Sequence, residues 1–312
     1  MTWRTDPRLG LFKSALQKGI RRSDLELTAR AATELVRFPG GEGALSRRLL
    51  VITAEDVGSR WLPATDTTIQ AAVGPTDLIN AAVGLASVPE RNKEAYWLAC
   101  QCWDGRRVPT VVDRAALALA LQAGDHREVL AVALAGRDRR QWRSGERLVD
   151  GIIQAAKDGP PATQHLVEVA LDSERQVDSG ATELIAAAVI AAIDRPEELP
   201  SALDVNRTTA FEPTDPLPWF AACDGHTDPG RRALRRVALA HGLPTQLLTE
   251  LAFAFEASKV VPDEPTVRWR DEARRLDATA YGWQTPEAGE QMWGDLRDEV
   301  RLEVELELVT WR

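Results

Sequence analysis

The sequence predicts a mainly α protein, a multi-helical bundle or helical-pair stack with a short C-terminal β-strand pair. Three observations predict it. Apolar residues recur at spacings of three and four along much of the 312-residue chain. Gly, Pro, Asp or Ser closes each such run. Near the C-terminus the period changes from helical spacing to strict alternation.

Leu9, Phe12, Leu16 and Ile20 share one helical face and place a first helix that ends near Arg21 and Arg22. Ser23 and Glu26 then read as a capping box, with the Ser23 hydroxyl accepting from the Glu26 amide and the Glu26 carboxylate reaching back. A second helix follows on Leu25, Thr28, Ala32 and Leu35, and Phe38-Pro39-Gly40-Gly41 stops it. Leu45, Leu49 and Ile52 mark a third, Gly74-Pro75 opens one carrying Ile79, Val83 and Ala86, and Ala95, Leu98, Ala99 and Cys102 mark another. More helices are expected at about 110–123, 125–135, 145–158, 160–171 and 179–193. Short helices on short turns favour antiparallel neighbours.

Five prolines between Arg195 and Pro218 interrupt any helix there. The expected organisation is therefore a helical domain over 1–195, a proline-rich connection over 196–226 and a small C-terminal helical region over 227–312. In the last, Asp228-Pro229 begins a helix with Leu234, Val237, Ala238 and His241 inward, closed by Gly242, and Leu247, Leu248, Leu251 and Phe255 mark the next. Val300, Leu302, Val304, Leu306 and Leu308 then alternate with Arg301, Glu303, Glu305 and Glu307, the signature of a half-buried strand. Thr266 to Arg270 is the nearest segment that could pair with it; pairing with another chain and a helix in spite of the alternation are the other two readings.

A hydrophobic fraction of 44% with 27% charged residues is that of a folding globular chain. The net charge of −9 opposes a surface that binds phosphate backbones everywhere. Three cysteines do not make a disulfide framework, and no uninterrupted apolar run of about 18 residues occurs, so a cytoplasmic protein without a membrane span is expected.

The run from Phe12 to Asp24 (FKSALQKGIRRSD) and that from Ser46 to Gly58 (SRRLLVITAEDVG) resemble the helical region that follows the ATPase module in the replication-associated recombination protein A family, also called Werner-helicase-interacting ATPases. Gly74 to Cys102 is similar to the next stretch of that family, with PERNKEAY over Pro89 to Tyr96 where the family has a PKSNAAY-like run. The resemblance covers about residues 9–105. It implies an all-helical oligomerisation domain related to the collar of clamp loaders, in a protein acting at stalled replication forks. The nucleotide machinery does not carry over, because no Gly-x-x-x-x-Gly-Lys-Ser/Thr phosphate cradle occurs, and Pro39 to Gly43 is a glycine turn without the following lysine. No cofactor is expected.

Lys13, Lys18, Arg21, Arg22, Arg47 and Arg48 make the first 60 residues locally basic, with eleven bases against seven acids. They read either as a nucleic-acid face or as a solvated one. Arg48 with Glu55 and Asp56 reads as structural polar pairing, since Arg48 and Glu55 stand seven apart on one face of a continuous helix, or as a recognition surface. Trp269, Trp283, Trp293 and Trp311, four of ten tryptophans, crowd the C-terminal part and read as core packing or as a partner surface. Cys100, Cys102, Cys223 and His226 have the composition of a zinc site, yet residues two apart on a helix diverge, so no metal is expected. No protease, hydrolase or dinucleotide fingerprint appears. The expected function is a non-enzymatic accessory or scaffold of DNA replication, repair or a mobile element, acting by self-association or partner docking; a direct nucleic-acid-binding module and an enzyme of unrecognised type are the alternatives.

Overall fold

The computed structural model describes residues 6–89, 91, 199, 217–259 and 285–310. Among these residues there are nine α-helices and no strand, so the chain is mainly α. The helices are α1 (Pro7–Arg21), α2 (Leu25–Val36), α3 (Gly41–Ile52), α4 (Leu62–Ala71), α5 (Pro75–Ala86), α6 (Trp219–Ala222), α7 (Asp228–Ala240), α8 (Thr245–Ala252) and α9 (Pro286–Val309). The helices expected between Ala95 and residue 193, and the Thr266 to Arg270 segment, lie outside the described residues. None of the described helices is long and apolar enough to cross a membrane.

The chain divides into two compact units. One holds Met1–Arg48, Val73–Pro89 and Pro200–Arg312, and the other Leu49–Ala72 and Glu90–Leu199. The first thus draws on both sides of the proline-rich stretch.

In the first unit α1 packs along α2, and α5 rests on both. Leu16 and Ile20 of α1, Ala32 and Leu35 of α2 and Leu85 of α5 are fully buried, as their helical spacing demands. The turn between α1 and α2 differs from the expected capping box. Ser23 takes φ 55°, the left-handed position that ends α1, with its amide donating to the Ile20 carbonyl at 3.3 Å and the Asp24 amide to Gly19 at 2.9 Å. Ser23 is therefore spent on closing α1, and Asp24 caps α2, its carboxylate accepting from the Leu27 amide at 2.9 Å.

The C-terminal helices of the same unit form their own cluster. Thr227 caps α7 through the Gly230 amide, and Gly242, at φ 64°, ends it. Leu234, Val237 and Ala238 face inward as expected, whereas His241 is exposed and meets Glu299 at 2.7 Å. They pack with Leu248 and Leu251 of α8 and with Trp293, Leu296, Val300, Val304 and Leu308 of α9.

The expected terminal strand is a helix. Thr285 caps α9 by accepting from the Ala288 amide at 3.2 Å, and Arg301 and Glu305, one turn apart, pair at 2.8 Å. The physical reason lies in the side chains between the apolar positions: glutamate and arginine propagate helices well, and glutamate is poorly represented in strands.

In the second unit a π-helical turn, Thr53–Val57, and a short 3-10 turn, Ser59–Trp61, lead into α4. Val57, Trp61 and Leu62 are buried there, and Thr53 and Thr65 hydroxyls lie 3.3 Å apart.

Candidate functional site

The last turn of α1 presents Lys18, Arg21 and Arg22, and in the first unit each of them reaches a carboxylate or carbonyl of the C-terminal segment. Lys18 Nζ lies 2.5 Å from Asp224 Oδ2 and 3.3 Å from the Ala221 carbonyl, with both charged side chains buried. Ser14, one turn earlier, donates to Asp224 Oδ2 at 2.8 Å and approaches the Ala221 carbonyl at 2.7 Å. The other Asp224 oxygen accepts from the His226 and Thr227 amides at 2.7 and 3.0 Å. Asp224 therefore accepts from four donors, which is nearly all a carboxylate can take.

Burial by itself works against the Asp224 charge, but Lys18, the Ser14 hydroxyl and the His226 amide outweigh it and hold the carboxyl below its ordinary range. Burial is also the largest influence on Lys18 and draws its ammonium below the usual lysine range, against the attraction of Asp224. The asymmetry has a structural reason, since the carboxylate is surrounded by donors while the ammonium has one carboxylate and one carbonyl. Next to them the Cys223 thiol is pushed up to about 12, chiefly by burial, and stays protonated.

A second clasp sits beside the first. After α8 the chain makes a π-helical turn, Phe253–Ala257, that carries the buried Glu256. Arg22 Nη2 donates to Glu256 Oε1 at 2.7 Å and to its carbonyl at 3.0 Å, while Arg297 of α9 donates to Oε2 at 3.0 Å. Arg21 donates to the Ala257 carbonyl at 2.5 Å. The Arg22 guanidinium lies 4.3 Å from the Phe220 ring centre and that of Arg297 lies 5.1 Å from the Trp219 ring, so aromatic faces complete the charge sandwich. Two arginines from opposite ends of the chain thus share one carboxylate.

Chemically this arrangement ties the chain to itself. Ser14 and Lys18 stand one turn apart, as a serine nucleophile and a lysine base would, but the hydroxyl is buried between Asp224 and a carbonyl and the amine is ion-paired. A nucleophile needs a free base and an approach path, and this serine has neither.

The predicted residues fall as follows. Lys18 and Arg21 are buried and Arg22 nearly so, which corrects their assignment to a nucleic-acid or solvated face; the reason is that carboxylates and carbonyls more than 200 residues away fold back over them. Arg48 donates to the Gln17 amide oxygen across to α1. Lys13 is half-buried, and Arg47 stays exposed. The regular α-helix assumed for Arg48 and Glu55 stops at Ile52, where the chain goes straight on into the π-helical turn, so the α-helical spacing that would put the two on one face does not extend to Glu55. Asp56 in that turn is fully buried, and within the second unit it attracts Arg91, whose pKa burial lowers to about 10.

Trp293 is 4% exposed and belongs to the core, so of its two expected readings it takes core packing and not the partner surface, while Trp269, Trp283 and Trp311 lie outside the described residues. Cys223 is buried whereas the His226 side chain is 85% exposed, so these two do not converge on one point; Cys100 and Cys102 lie outside the described residues. Among the described residues no three His, Cys, Asp or Glu side chains gather as a metal site. Sequence reasoning missed Ser14, Asp224, Glu256 and Arg297. The only local signal was at Asp224, an aspartate followed at i+3 by the helix-capping Thr227, and it reads as a turn.

No family model matches the chain, and no curated protein and no solved structure matches it significantly.

Proposed function

We propose that this chain is a non-enzymatic helical accessory protein of DNA replication, repair or a mobile element, acting by self-association or by docking a protein partner. The setting rests on the resemblance of residues 9–105 to the collar-like region of the recombination ATPases. The mode of action is supported by one observation: Lys18, Arg21 and Arg22, half of the basic set, are taken up by Asp224, Glu256 and the Ala257 carbonyl inside the first unit. Phosphate binding needs exposed bases that can reach the phosphates and displace the counterions condensed on the nucleic acid. With those three withdrawn, association between proteins is the better use of the fold.

Sedimentation velocity over a hundredfold concentration range tests the reading together with fluorescence anisotropy on a labelled 40-base-pair duplex. The expected result is concentration-dependent association or capture of a defined partner, with no duplex binding. Duplex binding that falls steeply between 50 and 200 mM salt, and that Arg47→Ala weakens, would replace this reading with the nucleic-acid one.

A further inference from the structure

Leu302, Leu306 and Val309 stand at i, i+4 and i+7 on α9, and all three are more than half exposed, at 56, 53 and 60%. That spacing puts them on one face. The opposite face is already occupied, since Trp293, Leu296, Val300, Val304 and Leu308 are in the core. The same helix therefore has two apolar faces, one buried by its own unit and one left in solvent.

The rim of the exposed face is acidic. Asp298 and Glu305 flank the leucines on one side and Glu299 on the other, and over its length α9 carries eight carboxylates and two arginines. Neighbouring groups reduce this charge without cancelling it: Arg301 pairs with Glu305, His241 at the end of α7 meets Glu299, and Arg232 and Arg236 of α7 pair with Glu303 and Glu307. Asp298 is exposed beside the leucines.

We propose that this face of α9 is a docking strip for an amphipathic helix of another protein, one that presents leucine-type residues at the same spacing flanked by lysine or arginine. The apolar triplet supplies the contact and the acidic rim selects the partner's charge. A second copy of this chain suits the strip poorly. Two α9 helices packed face to face about a twofold axis would set carboxylate against carboxylate. The proposal deepens the association reading by naming the chemistry of the partner, and it rests on that reading only in taking docking as the chain's mode of action.

The test uses the full chain and two labelled 18-residue helical peptides, both with leucines at i, i+4 and i+7, one filled with lysine and one with glutamate. Anisotropy titration is expected to give saturable binding of the lysine peptide and none of the glutamate peptide. Leu302→Ser with Leu306→Ser is expected to weaken the lysine peptide by at least about tenfold, with an unchanged circular dichroism spectrum because both side chains are exposed. Asp298→Lys is expected to weaken it as well. Equal binding to wild type and double variant, or equal binding of both peptides, overturns the proposal. So does a wild-type dimer that the double variant abolishes, since the strip then belongs to a second copy. A chain that is monomeric at every concentration but still binds the lysine peptide through the strip fails only the self-association arm of the broader reading.

Discussion

Replacing Lys18 by methionine removes a charge from a place where water cannot compensate. Asp224 would keep Ser14 and two amides as donors but lose the ammonium 2.5 Å away, while remaining buried. Breaking a buried pair from one side typically costs about 3 to 5 kcal/mol, because the remaining charge is left uncompensated. The three surviving donors place Lys18→Met near the lower end, about 3 kcal/mol. Asp224→Asn is expected to cost a similar amount, since it sets an amide against the ammonium. The double variant removes both charges, so its cost should fall short of the sum of the single costs by about 2 kcal/mol. Hydrogen exchange of the α1 and α7 amides under mild urea reads the opening of the first unit by itself. Single costs below about 1 kcal/mol, or costs that simply add, would refute the claim that this pair holds α1 to the C-terminal segment.

Acid should act through the same carboxylate. Its folded pKa is held below the unfolded value of about 3.9, so its stabilisation is complete above that value and is lost as pH falls through the lower folded one; in Lys18→Met the ammonium that lowers it is gone, so the stability deficit of the variant against wild type, read by urea denaturation followed by tryptophan fluorescence, is expected to shrink as pH falls below about 4. Glu256→Ala strips Arg22 and Arg297 of their shared carboxylate and should cost about 2 to 3 kcal/mol in urea denaturation, whereas Glu299→Ala, at an exposed pair, should cost less than about 1 kcal/mol. At Gly230 an added Cβ would fall 2.2 Å from the carbonyls of both Ala222 and Asp224, so Gly230→Ala should cost at least about 1 to 3 kcal/mol and lower the melting temperature measurably. Cys223, buried and with its pKa near 12, should resist a thiol reagent at pH 8 in the native state and react on unfolding, as mass spectrometry would show.

The helices were legible where the signal is local. Leu9 to Ile20 and Gly74-Pro75 declare their helices through spacing and punctuation alone, and α1 and α5 form where those patterns put them. The clasp was not legible, because nothing near Lys18 in the chain indicates that Asp224 will reach it, nor near Arg22 that Glu256, shared with Arg297, will. Local reading treats a basic helix end as a surface. Pairing across more than 200 residues is a property of the packed unit, and it turns a run that resembles a phosphate-binding face into the core's own cross-link. The Ser23 error has the same origin on a smaller scale: the Ser-x-x-Glu pattern was present, but the demand for a left-handed residue to end α1 was stronger.

The alternation at residues 300–308 shows how two helical stripes can imitate a strand. Apolar residues at every second position include two sets four apart, Val300 with Val304 and Leu308, and Leu302 with Leu306. On a helix, steps of two turn through about 200°, so the sets occupy opposite faces. In a sheet the same pattern would leave one face apolar and the other charged. On α9 it leaves two apolar faces with carboxylates between them, of which the first is buried and the second is exposed. A helix that served only the fold would need one stripe, with polar residues at 302 and 306. The residues that misled the strand reading are therefore the ones the fold does not use. They are the same leucines that make the docking strip.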